Sequence, residues 1–156
     1  MRHLILTVLI TVIGFAIAAM AGSGGNLRLA MACAVLAFGV QWLAFLHAWF
    51  KQTEAYFDLC GSLTYMSVVA MAYLSAGAGD TRSMLMALCV MVWAARLGSF
   101  LFLRIRADGG DRRFDKLKTR FAPFLMTWTL QGLWVTMTVS CVLAALLTET
   151  PRGMDA

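Results

Sequence analysis

Charge is scarce in this chain: only 13% of its 156 residues are Asp, Glu, Lys or Arg, against about 25% in an ordinary soluble domain. Proline is scarcer still, at two residues, so little interrupts the long apolar runs. Cysteine is sparse and unpaired. Cys33, Cys60, Cys89 and Cys141 stand singly, with no CxxC and no nearby pair of histidines. That pattern argues against a disulfide framework and a zinc-type site, so the four read as small buried apolar residues and no metal is expected. What fills the chain instead is hydrocarbon. Hydrophobic residues make up 61% of it, with a mean hydropathy of +0.77. A spanning helix needs about 20 predominantly apolar residues, so crossing a bilayer uses up most of the length and leaves no room for a large soluble domain.

Five apolar stretches stand out, at about 3–21, 28–50, 60–78, 83–103 and 123–147. The breaks between them make chemical sense. Residues 21–26 (Ala-Gly-Ser-Gly-Gly-Asn) form a flexible turn, and residues 51–54 (Lys-Gln-Thr-Glu) are polar. Asp80 or Thr81 can cap a helix start, and Pro123 sits where a first helical turn tolerates proline. The first stretch also has features of a secretory signal: Arg2 and His3, an apolar core, then a small-x-small pattern at Ala19-Met20-Ala21. Four further spans follow it, so an uncleaved first span is the simpler reading. No internal repeat or linker divides the chain. The expected fold is one all-α integral membrane bundle of about five transmembrane helices.

The net charge is +5, yet seven of the thirteen basic residues lie between Arg104 and Arg120. A local basic segment of this kind suits anionic headgroups or phosphate-bearing ligands, and no nucleic-acid partner is expected. Nine Lys and Arg residues would lie on one side of the membrane and three (Arg28, Arg82, Arg152) on the other. By the positive-inside rule the N-terminus and loop 104–122 are then cytoplasmic and the C-terminus is outside. Within that loop Phe114, Leu117 and Phe121 recur at helical spacing among charges, which predicts an amphipathic helix lying on membrane lipids. The Asp108-Gly-Gly-Asp-Arg-Arg113 turn is more elaborate than adsorption needs. Glycines admit a ligand close to the backbone, and arginines grip phosphate in bidentate fashion.

Polar groups inside the spans are expensive and therefore informative. Arg96 lies within the fourth span, where it must meet a partner or a wet cavity, or else snorkel to the headgroups. Glu54, Asp58, Ser62 and Tyr65 follow at steps of four, four and three, and share one face if the third helix extends back to Glu54. Two carboxylates beside a phenol can serve acid/base chemistry; a wet helix end with an interfacial tyrosine is the alternative. Gln131 sits in a stripe with Thr127, Trp134 and Thr138 that could equally be interhelical hydrogen bonding. Gln41 and His47 do not share a face neatly and read as structural.

Four segments in this order resemble a known family: residues 57–65 (Phe-Asp-Leu-Cys-Gly-Ser-Leu-Thr-Tyr), 93–100 (Trp-Ala-Ala-Arg-Leu-Gly-Ser-Phe), 108–115 (Asp-Gly-Gly-Asp-Arg-Arg-Phe-Asp) and 128–134 (Trp-Thr-Leu-Gln-Gly-Leu-Trp). Together they resemble the bacterial membrane proteins called domain of unknown function 1295, related to the steroid 5-alpha-reductases, over about residues 51–147. The resemblance implies an inner-membrane reductase that uses NADPH on an activated carbon–carbon double bond of a steroid-like or other lipid. It implies that Glu54, Asp58 and Tyr65 border the substrate, with Arg96, Asp111, Arg112, Arg113 and Gln131 on the cofactor side. Trp93 stands where, on a loose alignment, such enzymes place a tyrosine donor. The family's later helices and an Arg-His-Pro-Asn-Tyr segment have no counterpart here, so the resemblance covers an N-terminal half. A second chain or a homo-oligomer would then complete the bundle around the hydrophobic small-molecule substrate. The competing expectation is a non-enzymatic membrane module, either lipid-binding or a small transport or scaffold protein.

Overall fold

The computed structural model describes residues 1–77 and 80–147; the Arg112 side chain lies outside the described part. Every regular element in it is helical: α1 (Arg2–Gly22), α2 (Leu27–Lys51), α3 (Phe57–Ala76), α4 (Thr81–Asp108), a short 3-10 turn (Arg112–Phe114), and α5 (Phe121–Leu147). All five α-helices are long and apolar enough to cross a bilayer, as an integral membrane protein requires. The expected span 60–78 begins three residues late, and its last residue, Ala78, lies outside the described residues.

The polar breaks supply two caps, at Asp80 as expected and at Asn26, the end of the segment read as a flexible turn. The Asn26 side chain accepts the Leu29 N–H at 2.9 Å to start α2, and Asp80 accepts the Ser83 N–H at 3.0 Å to start α4. Each satisfies a helix-terminal donor that hydrocarbon would leave orphaned.

The helices run up and down, and α1 to α4 form an arc in chain order, each beside the next. The last helix, α5, lies inside the arc along α1, α2 and α3 and barely touches α4. Lipid is as apolar as leucine, so association between helices rests on close packing rather than on removal from water. The buried face of α2 fits that requirement. Ala30, Cys33, Ala34, Ala37, Gln41, Phe45 and Ala48 recur every three or four residues along it, small enough for most of their length to admit α3 and α5. Gln41 also donates to Thr64 Oγ1 at 2.8 Å, tying α2 to α3 within the apolar layer. Of the cysteines, Cys33 is buried and all four are free, but Cys89 and Cys141 face outward rather than into the core.

One expectation is overturned. Residues 104–122 carry no amphipathic surface helix: α4 continues to Asp108, α5 begins at Phe121, and between them lie the 3-10 turn and non-helical turns. Phe114 is only 4% exposed and joins a cluster with Phe45, Ala48, Phe124 and Trp128, with Leu117 packed against it. Two of the three apolar residues that suggested a lipid-facing stripe, Phe114 and Leu117, are plugged into the bundle's own end, its basic end, whereas Phe121 opens α5 and stays 47% exposed.

Candidate functional site at the basic end

The 28 residues of α4 span about 42 Å at 1.5 Å each, well beyond the ~30 Å hydrocarbon layer. Its last turns therefore carry Arg104 and Asp108 past the apolar region. The chain then reverses at Gly109 (φ +74°) and Gly110 (φ +140°), conformations that L side chains rarely adopt. The Gly110 N–H returns to the Ile105 carbonyl at 3.2 Å and closes the helix end. Directly after this turn, Asp111 takes the Arg113 side chain in a two-pronged grip, accepting Nε at 2.8 Å from one oxygen and 3.0 Å from the other, with Nη2 also bonded to Oδ2. The Arg113 backbone N–H donates to the same carboxylate at 2.9 Å. This guanidinium holds the Asp111 carboxyl below its ordinary range. Arg104, Ile105, Asp108, Gly110, Asp111 and Arg113 enclose an open cleft of ≈ 600 Å³.

Glu54 braces that cleft from the other side. α3 begins at Phe57, so Glu54 belongs to the α2–α3 connection and does not continue the Asp58–Tyr65 face. Its carboxylate is only 6% exposed. One oxygen accepts the Asp111 N–H at 3.3 Å, and the other pairs with Lys118 Nζ at 3.1 Å. Hydrogen bonding to this carboxylate pushes the Lys118 ammonium above its ordinary range. Glu54 is thus committed to joining the two connections at this end of the bundle.

A second, smaller cleft of ≈ 180 Å³ opens below the first between α3, α4 and α5, with Asp58, Ser62, Tyr65, Gln131, Leu97 and Trp134 in its lining. Gln131 enters because Gly61 has no side chain: a Cβ there would lie 1.8 Å from Gln131 Nε2. Through that notch Nε2 donates to the Phe57 carbonyl at 3.2 Å. The Tyr65 hydroxyl lies 3.3 Å from the Trp134 carbonyl oxygen and 3.2 Å from Thr138 Oγ1, and its ring meets Trp93 edge-on at 5.0 Å. Asp58 lines this lower cleft and is within electrostatic reach of Arg113 and Arg104 of the upper one.

Of the residues singled out from sequence, Asp58, Tyr65 and Gln131 share the lower cleft, and Asp111 and Arg113 share the upper one. Arg96 lies in neither. It is exposed on the outward face of α4, against a separate apolar hollow formed with Trp93, Leu97 and Phe100. Arg104 and Asp108 are additions to the named site residues: in the sequence Arg104 counts only as a loop charge, and Asp108 only as the start of the glycine turn. Their four-residue separation at the end of α4 was the available signal.

No curated protein and no solved structure matches the chain. Residues 42–155, most of its length, match the sequence model of a family described as "Protein of unknown function (DUF1295)". The stretch spans both clefts and every residue assigned to them. The chain belongs to the DUF1295 family.

Proposed function

We propose that this protein binds NADPH at its basic end and reduces an activated carbon–carbon double bond of an apolar, lipid-like molecule held in the lower cleft. The reading rests chiefly on one observation, that Asp58, in a cleft with Tyr65 and Gln131, is within electrostatic reach of Arg104 and Arg113 of the larger polar cleft. The resemblance of the four sequence segments to steroid 5-alpha-reductase relatives gives the reaction class.

The donor set of the upper cleft suits a dinucleotide. Arg104 and Arg113 offer guanidinium groups to phosphate oxygens, while Asp108 and Asp111 offer acceptors to ribose hydroxyls. Bound NADPH would supply the hydride. The remaining chemistry falls to the chain itself. Reducing an enone places negative charge on the substrate oxygen, which needs a donor aimed at it. Tyr65, steadied by Thr138 and Trp134, is the donor we assign to that oxygen. Asp58 lies where it can exchange a proton with the solvent-facing upper cleft. Gln131, anchored on the Phe57 carbonyl, orients groups between the two clefts. Glu54 acts as a positioning residue that fixes the Asp111–Arg113 turn through its backbone.

Arg96 and the exposed face of α4 are where we place additional helices, from a second chain or a second copy, that cover the open side of the lower cleft. With the basic end in the cytoplasm, the cofactor cleft faces the soluble NADPH pool. The test is NADPH oxidation by the protein in its native membrane, with a cyclic enone as acceptor. Tyr65→Phe should lower kcat at least tenfold with little change in cofactor affinity, and Asp58→Asn should do the same. Full turnover in both variants would remove the assignment.

A further inference from the structure

Arg96 stands within the apolar stretch of α4 and makes no hydrogen bond or ion pair with any described residue. Its helix is the least buried of the five, packed along α3 and barely touching α5. A charge facing hydrocarbon is expensive and calls for a counter-charge or water. Neither end of the span supplies one readily. At 1.5 Å per residue, Arg96 lies about 12 Å from Arg104 and about 21 Å from Arg82, the basic residues that bound the apolar run. Long side chains on a helix lean towards its N-terminus. Arg96 is therefore directed away from the nearer boundary, at Arg104, and towards the middle of the bilayer.

The residues around it have the spacing of a docking seam. Cys89, Trp93, Arg96, Phe100 and Leu103 follow at steps of four, three, four and three, and all five are exposed, the repeat by which one helix packs along another. A single polar residue in such a seam fixes register and partner. A second copy does not answer this charge. A symmetric pair joined through the face would set Arg96 against Arg96, and like charges repel. Nor does the chain hold a carboxylate at that depth. Of its eight acidic residues, Glu54, Asp58, Asp108, Asp111 and Asp115 lie towards the basic end, Asp80 caps the far end of α4, and Glu149 and Asp155 follow the last span. Asp58 comes nearest, but it lines the lower cleft, one turn closer to the basic end than Ser62, which packs against Gly98.

We infer that the outward face of α4 docks a membrane helix of another polypeptide that carries an aspartate or glutamate near the middle of the bilayer. Its carboxylate pairs with Arg96, and its apolar side chains lie along Trp93, Phe100 and Leu103. This partner narrows the choice of added helices made above and rests on that placement, while its docking requires neither bound cofactor nor hydride transfer.

The test places the full chain, with a donor fluorophore on its N-terminus, in phosphatidylcholine vesicles. The probes are acceptor-labelled apolar peptides of about 20 residues, long enough to span, with Glu, Gln or Leu at the centre. Energy transfer reads association. The Glu peptide should bind saturably and about tenfold more tightly than the Leu peptide, because pairing relieves part of the cost of a bare charge in hydrocarbon; the Gln peptide should fall between. Arg96→Leu should remove that preference, and Arg96→Glu should transfer it to a peptide with a central Lys. Both variants alter an outward-facing side chain, so helical content should not change. Equal association of the Glu and Leu peptides, or a preference that survives Arg96→Leu, would overturn the inference. Loss of the preference when anionic phosphatidylglycerol replaces part of the lipid would overturn it too, by assigning Arg96 to a headgroup. So would Arg96-dependent energy transfer between two copies of the chain. None of these failures would alter NADPH binding at the basic end, which is measured separately.

Discussion

Exchanging Glu54 for glutamine removes one charge from the point where the two connections at the basic end meet. The carboxylate has two partners, the Asp111 N–H at 3.3 Å and Lys118 Nζ at 3.1 Å. Hydrogen bonds to charged groups contribute about 1.5–3 kcal/mol each, but two features here lower the expectation. The first bond is long, and glutamine keeps an oxygen to accept it. The Lys118 side chain is 26% exposed, so solvent screens the second. Glu54→Gln should therefore cost about 1–2 kcal/mol. Lys118→Met should cost a similar amount, because it strands a nearly buried carboxylate. The double variant should then be about 1 kcal/mol less damaging than the sum, since its second change removes an interaction already lost. Thermal unfolding in detergent gives the energies, and hydrogen exchange locates the loss, which should fall in residues 109–120 and spare α1 and α5. Strictly additive effects, or unchanged exchange in that segment, would show that Glu54 does not brace the turn.

Two further expectations follow from the same geometry. Gly61→Ala should leave stability within about 1 kcal/mol, because the gain in helix propensity offsets the loss of the Gln131–Phe57 hydrogen bond. It should nevertheless displace Gln131 and abolish enone reduction; a fully active variant would show that the notch has no role in the site. The order of residues 109–120 should hold from about pH 5 to 9 and fail at both extremes. The lowered Asp111 carboxyl contributes stability above its unfolded value of about 3.9, which is lost as pH falls through the folded one. The raised Lys118 ammonium contributes below its unfolded value of about 10.4, which is lost as pH rises through the folded one. Hydrogen exchange corrected for intrinsic rates would read both limbs, and exchange that loosened at neutral pH would contradict the assignment.

The five helices were legible in the sequence because hydrocarbon forces the backbone to bond within each span, so long apolar runs have one solution. The start of α3 was placed late because hydropathy penalises Asp58, while the first turn of a helix favours an acidic side chain. The basic loop misled for a different reason. Phe114, Leu117 and Phe121 have helical spacing, but Phe114 and Leu117 plug a hole built by Phe45, Phe57, Phe124 and Trp128 from distant positions, and Phe121 opens the next helix. No local signal could pair Glu54 with Lys118, 64 residues away. The Asp58–Tyr65 face was readable because both lie on one helix, whereas Gln131 reaches that face only through the vacancy at Gly61. Arg96 was singled out as costly from its depth in a span, but depth does not reveal which side of the helix a residue occupies, and here that side faces outward.

The most direct test of the central claim is equilibrium binding of NADPH to the protein in lipid nanodiscs, read by cofactor fluorescence, with Arg104→Ala and Arg113→Ala alongside the unaltered chain. The expected result is saturable binding that weakens at least tenfold in each arginine variant, more steeply for NADPH than for NADH, while Arg28→Ala at the other end of the bundle has no effect. Absence of saturable binding, or equal affinity in all four proteins, would contradict the assignment of the basic end as a cofactor site.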